Sequence, residues 1–185
     1  MPTLTIIAGP NGAGKSTITR LTDFEGLDRL LDPDAIARGM NPFNPAAAAL
    51  PAGRETLRRT AEFLAQGLSF AVETTLAGHG KLDLVHEAKS HGYDVRLMFI
   101  GLDTPERCLR RIRNRVADGG HFVPDADVRR RFARSVANAV QALRLVDYAE
   151  FYDNSGDGHR LVLIARAGVV VWQAQPLPGW LGPLA

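Results

Sequence analysis

Cysteine and lysine are nearly missing from this chain, which has one cysteine (Cys108) and three lysines (Lys15, Lys81 and Lys89) in 185 residues. A single thiol excludes an internal disulfide and suits a reducing compartment. Cys108 sits in an arginine-rich helical stretch with no histidine beside it, so it reads as packing rather than catalysis. No run approaches the ~20 apolar residues of a membrane span. A strand pattern begins at Thr3, leaving no room for a signal peptide. These absences lead us to expect a cytoplasmic protein with no membrane partner.

The shortage of lysine leaves arginine to carry the positive charge. Nine arginines (107, 110, 111, 113, 115, 129, 130, 131, 134) fall between Arg107 and Arg134, against Asp118, Asp125 and Asp127. Three readings stand side by side. They are solvated helix faces with salt bridges, a subset aimed at phosphates that a guanidinium grips with two parallel bonds, or an RNA-binding patch. The basic residues lack the interleaved aromatics of a single-strand platform, so nucleic acid is not the expected partner.

What the chain does contain is Gly9-Pro10-Asn11-Gly12-Ala13-Gly14-Lys15-Ser16-Thr17, directly after the apolar run Thr3–Ala8. This is the G-x-x-x-x-G-K-[ST] phosphate loop between a strand pattern and a helix pattern, the context it requires. Its glycines let the backbone curl into a nest of N–H groups, and the following helix adds its positive end. Lys15 reaches the β- and γ-phosphates and Ser16 offers its hydroxyl to Mg²⁺. The implied ligands are ATP and Mg²⁺.

The length predicts one domain over residues 1–185. Strand and helix alternate, which predicts an α/β P-loop NTPase fold, a mostly parallel sheet flanked by helices. Expected strands are Thr3–Ala8, Leu27–Leu31, Ser69–Glu73, Val95–Ile100 and Phe151-Tyr152. Arg160–Ala165 and Val169–Gln173 should form a C-terminal β-hairpin. Expected helices are Ser16–Leu21, a short one over Ala35–Arg38, Ala46–Gln66 (as one piece or broken near Pro51-Ala52-Gly53) and Lys81–His91. Another runs from the Asp103-Thr104-Pro105-Glu106 start to about Ala117. The last carries Val128, Phe132, Val136, Val140 and Leu143 at helical spacing. Residues 104–135 read as an arginine-bearing helical lid hinged at Gly119-Gly120, and Pro176–Ala185 as a surface strap anchored by Trp180.

Phosphoryl transfer needs a cradle, Mg²⁺, a carboxylate at the accepting hydroxyl, and cations on the migrating group. In doubly wound sheets ligands lie beyond the carboxyl ends of the strands, where Asp32/Asp34, Glu73 and Asp103 stand. Asp34 reads as a general base or as the cap of the helix after it. Glu73 ends an apolar strand, which suits a metal or substrate contact or a buried pair with arginine. Thr74 contacts substrate or ends the strand, and Asp103 reads first as a helix cap. Arg115 at one edge of the lid and Arg130/Arg131 at the other are best placed for phosphate. His121 contacts phosphate or hydroxyl, or is structural. Asn154-Ser155-Gly156 is an adenine loop or an ordinary turn.

The ordered set comprises Ala8–Thr17, Asp34, Phe70-Ala71-Val72-Glu73-Thr74-Thr75, and Arg115 with Gly119-Gly120-His121-Phe122-Val123-Pro124. Arg129-Arg130-Arg131-Phe132 and Asp153-Asn154-Ser155 complete it. From Thr3 to about Ser155, the chain resembles the small zeta-toxin-like kinases, related to the zeta toxins of toxin–antitoxin systems. Zeta toxins transfer the ATP γ-phosphate to the 3′-hydroxyl of the amino sugar of UDP-N-acetylglucosamine. By position, the resemblance implies Lys15 as loop lysine, Asp34 as catalytic base and Glu73 as the acid that binds the sugar nucleotide. Arg115 and Arg131 would grip the phosphates. It also implies a nucleotide-sugar substrate and a protein antitoxin as partner. The chain is shorter than the full toxins, and its Asn41–Pro51 stretch has no clear counterpart. The competing readings are a P-loop ATPase switch, which would need signature motifs that are missing here, and a kinase of RNA or nucleotide ends.

Overall fold

The computed structural model describes residues 1–78, 80, 82–117 and 122–184. Strand β1 (Thr3–Ala8) is buried along its whole length, as a central parallel strand covered on both faces should be. The phosphate loop leads from it into α1 (Lys15–Leu21). The chain then passes a 3₁₀ turn (Leu27–Arg29) to the two-residue β2 (Leu30–Leu31) and α2 (Pro33–Met40). The expected Leu27–Leu31 strand is thus a turn in its first half.

A second 3₁₀ turn (Pro45–Ala48) runs straight into α3 (Ala49–Gln66), which continues unbroken through Pro51-Ala52-Gly53. Pro51 lies in the first turn of α3, where a backbone N–H has no intrahelical acceptor, so the missing donor costs nothing. Next come β3 (Phe70–Thr74), α4 (Asp83–Ser90) and β4 (Asp94–Gly101). The predicted first residue of α4, Lys81, lies outside the described residues. Helices α5 (Pro105–Ala117) and α6 (Asp125–Leu143) follow, with the predicted Gly119-Gly120 hinge and His121 also outside the described residues.

Strand β5 (Tyr148–Asp153) is longer than its sequence signal. Glu150 interrupts the apolar pattern, yet it accepts hydrogen bonds from the Tyr148 hydroxyl at 2.7 Å and the Tyr152 hydroxyl at 2.9 Å along one strand face. Strands β6 (Arg160–Arg166) and β7 (Val169–Gln173) form the expected hairpin, and a 3₁₀ segment (Gly179–Leu184) ends the chain.

The sheet order is β2-β3-β1-β4-β5-β6-β7, with β2 to β5 parallel to their neighbours and β6 and β7 antiparallel. The chain leaves β1 toward β3 on one side and later toward β4 on the other, so the carboxyl end of β1 is a topological switch point. Alternation along β1 sends Leu4, Ile6 and Ala8 into one core layer with Leu64, Phe70, Val85, Phe99 and Trp180. Ile7 enters the other layer with Ile18, Ile100, Cys108, Leu109, Ile112 and Val128. Helix α6 spans both layers, with Val128 in the second and Ala139, Ala142 and Leu143 in the first. Its buried stripe runs through Ser135 and Ala139, and Phe132 and Val136 of the expected face are partly buried. The strap anchor is as expected, with Trp180 buried and tilted against Phe99 at 5.7 Å between ring centroids.

Candidate active site

The loop at the end of β1 turns on glycines that no other residue can replace without strain. Gly14 has φ +96°, and a Cβ there would lie 2.5 Å from Asn154 Nδ2. The Lys15 ammonium folds back over the loop, donating to the Gly9 carbonyl at 3.0 Å and the Pro10 carbonyl at 3.3 Å. Burial pulls its pKa down, while Glu73, Asp34 and Asp32 oppose that shift. Register places the acid: Ile7 of β1 pairs with Glu73 of β3. Ser16 Oγ therefore lies 3.3 Å and 3.2 Å from the two Glu73 oxygens. Burial pushes the Glu73 carboxyl up, with the Lys15 charge acting against it.

One cleft of about 1660 Å³ joins these groups. That exceeds the ~300–1,000 Å³ of single-ligand pockets, enough for a donor and an acceptor together. Its walls bring together Asn11, Gly12, Gly14, Lys15, Ser16 and Thr17 with Asp34, Glu73 and Arg115. The capping alternative for Asp34 is settled by geometry, because Asp32 caps α2, accepting from the Asp34 amide at 2.9 Å. The exposed Asp34 side chain is left to the cleft. The cap of α5 is Thr104, whose hydroxyl accepts from the Arg107 amide at 3.2 Å. Asp103, expected as that cap, instead forms a two-point ion pair with Arg107.

Other expected residues stand apart from the cleft. Arg130 lies 2.7 Å and Arg131 3.7 Å from Asp127 on their own helix, and neither lines the cleft. Thr74 accepts from the Leu76 amide at 3.1 Å, closing the turn after β3. Arg113 pairs with Asp125 and Arg129 with Glu106, so much of the arginine cluster is held in helix-to-helix and local ion pairs.

Several lining residues escaped the sequence reading. Arg111 reaches the cleft and donates to the Asn154 carbonyl at 2.7 Å. Its signal was the four-residue spacing to Arg107 and Arg115, one stripe along α5. Arg20 and Arg38 also line the cleft, as does Asp32, which the sequence pairs with Asp34 as a strand-end carboxylate. His159 does so as well, its Nε2 3.1 Å from the Gly14 carbonyl oxygen, and nothing local in its sequence marks it. Asn154 lies at the expected nucleotide loop, but its buried side chain donates to the Ala13 carbonyl at 2.8 Å.

Fold and site together define a P-loop nucleotide-binding protein of kinase-like architecture. The AAA_33 family model, an AAA domain, matches residues 4–137, and the chain belongs to that family. It is 36% identical over 124 residues to an uncharacterized protein of Haemophilus influenzae, covering 67% of this chain and 88% of that one. Among solved structures it is similar to the complex of AvrRxo1-ORF1 and ORF2 with ATP (TM-score 0.73, 18% identity), over 92% of this chain and 60% of that chain. The chain thus spans about 60% of the length of that neighbour. It is also similar to the PezAT chromosomal toxin–antitoxin system of Streptococcus pneumoniae (TM-score 0.64, 16% identity), over 99% of this chain and 84% of that chain. Among the described residues, no helix is long and apolar enough to cross a membrane.

Proposed function

We propose that the protein is a small-molecule kinase of zeta-toxin type, moving the γ-phosphate of ATP onto a hydroxyl of a nucleotide sugar such as UDP-N-acetylglucosamine. The observation that carries this reading is the single cleft in which the Lys15–Ser16 cradle faces the Asp34 and Glu73 carboxylates, with Arg111 and Arg115 on its wall. A nucleotide switch needs the cradle alone. The Asp34 carboxylate, which faces the cleft and takes no part in capping α2, supports a second reactant.

Lys15 leaves the Gly9 and Pro10 carbonyls for the β- and γ-phosphates, whose charge favours its ammonium form. Backbone N–H groups of residues 12–17 hold the phosphate oxygens. Asp34 takes the proton of the acceptor hydroxyl as the new oxygen–phosphorus bond forms and the bond to the β-phosphate bridging oxygen breaks, so ADP departs with that electron pair. Arg115 offsets charge on the migrating group, and Arg131 joins it if α6 swings over the cleft. Arg130 would move with the same helix, while His121 lies outside the described residues and Thr74 keeps its place in the turn after β3. The Ser16 hydroxyl beside the Glu73 carboxylate is an oxygen donor set that fits Mg²⁺, which keeps most of its shell as water and phosphate. When bound there, Mg²⁺ neutralises phosphate charge.

The test is incubation with γ-labelled ATP and a panel of nucleotide sugars. Label should appear in a sugar nucleotide, and Asp34→Asn should abolish it. Label in no acceptor removes the substrate claim, and unchanged transfer by Asp34→Asn removes the base. The toxin role, with a protein antitoxin as partner, predicts growth arrest on expression that Lys15→Ala relieves.

A further inference from the structure

Three polar groups of Asn154 are committed. Its amide donates to the Gly101 carbonyl at 3.0 Å, its carbonyl accepts from Arg111 Nη2 at 2.7 Å, and Nδ2 donates to the Ala13 carbonyl at 2.8 Å. The residue is buried at the head of the loop after β5, and Gly156, Asp157, Gly158 and His159 of that loop line the cleft. Five residues on, His159 Nε2 lies 3.1 Å from the Gly14 carbonyl. A carbonyl only accepts, so Nε2 carries the proton there. Two side chains of one loop therefore hold two consecutive carbonyls of the phosphate loop.

A peptide unit is planar and trans, so its C=O and N–H point in opposite directions. Anchoring the Ala13 carbonyl outward turns the Gly14 N–H inward, and anchoring the Gly14 carbonyl does the same for the Lys15 N–H. The two anchors are unequal. The Gly14 carbonyl also accepts the Thr17 amide at 3.1 Å and the Ile18 amide at 3.2 Å at the start of α1, and so has two further restraints.

We propose that Asn154 is a positioning residue that aims the Gly14 N–H into the phosphate nest, and that it ties occupancy of the 154–159 loop by a nucleoside to affinity for the triphosphate. His159 supports it, and Arg111 of α5 braces the loop through the Asn154 carbonyl. The proposal rests on the triphosphate-binding reading of residues 9–17 and not on the identity of the acceptor.

The two halves of the nucleotide can be offered separately. Binding of inorganic tripolyphosphate with Mg²⁺ is measured by calorimetry, with and without saturating adenosine. In the wild-type protein adenosine should raise tripolyphosphate affinity, because a nucleoside that settles the loop holds the Ala13 carbonyl through Asn154, and tripolyphosphate should raise adenosine affinity by the same factor. Asn154→Ala should lower tripolyphosphate affinity by roughly three- to tenfold, the loss of one hydrogen bond, and remove the adenosine effect. Asn154→Asp, of the same shape but without the donor, should do likewise, which carries the test should the alanine variant fail to fold. His159→Ala should have the smaller effect, and His159→Gln, which keeps a donor, should restore it. Unchanged tripolyphosphate affinity in both Asn154 variants overturns the proposal, as does an adenosine effect that is absent from the wild type or survives in the variants. A wild-type protein that binds neither tripolyphosphate nor ATP overturns the phosphate-loop reading with it. Binding without transfer to any acceptor leaves this proposal standing and removes only the kinase assignment.

Discussion

Ser16 Oγ donates to Glu73, 57 positions away, with its oxygen 3.2 Å from Oε2 and 3.3 Å from Oε1. The pairing follows from parallel register, which sets the end of β3 beside the end of β1 just where the phosphate loop begins.

That pairing has a pH signature. Burial raises the Glu73 carboxyl above its ordinary 4.5, and the reaction needs it ionised. kcat/KM for Mg²⁺–ATP should therefore fall on the acid side at a pH above 4.5, and Glu73→Gln should flatten that limb at low activity. Stability runs the other way. A raised folded pKa contributes stability that is complete below the ordinary value and is lost as pH rises through the raised one. Melting of the nucleotide-free protein across the same window should show Tm declining where activity climbs, and a parallel rise would remove the assignment.

Asp32 and Asp34 flank one proline and should separate by assay. Asp32→Ala removes the α2 cap and its 3.6 Å ion pair with Arg38, costing about 1 kcal/mol. In a chain of this size that is roughly 2–4 °C of Tm. Asp34→Asn should leave Tm nearly unchanged and lower phosphoryl transfer by about 10²–10⁴-fold. Reversed outcomes in melting and transfer assays would exchange the two roles.

Cys108 should be silent toward thiol reagents. It is fully buried, and burial pushes its thiol up to about 12, so the reactive thiolate is scarce at neutral pH. One thiol should react with a chromogenic disulfide only when denaturant is added. Rapid labelling of the native protein would show that α5 opens from the sheet.

Which features could be read from sequence follows from how far each signal reaches. β1 and the loop were legible because a buried strand, a nest and a helix start are contiguous and spell one chemistry. Glu73 was legible as a charge closing an apolar strand. Arg130 and Arg131 were not separable from their neighbours, because the Asp127 that holds them offers the same one-turn spacing as a solvated helix face. Asn154 reads from sequence as part of an adenine loop or an ordinary turn, not as a partner of the phosphate loop. Its contact spans 141 positions and depends on β5 pairing beside β4, which no local pattern carries. Glu150 hid half of β5, since its two tyrosine partners alternate with it on the strand and broke the apolar run.

Gly101 and Trp180 give the last prediction. Gly101 is the final residue of β4, and a Cβ there would overlap the Trp180 ring. Its φ lies outside the left-handed region, so the constraint is the indole alone. Trp180 Nε1 donates to Asp153 Oδ1 at 3.0 Å, and that oxygen also accepts from the Ser155 hydroxyl at 2.6 Å. The strap thus packs against the strand end from which the 154–159 loop departs. Gly101→Ala should destabilise by about 1–3 kcal/mol through overpacking. Trp180→Leu should be destabilising alone, because it opens a cavity and removes one donor from Asp153. In the double variant the added methyl should cost far less than in the wild-type background, giving a coupling of about 1 kcal/mol or more in a double-mutant cycle by denaturant unfolding. Additive losses would mean that the indole does not sit against Gly101 in solution.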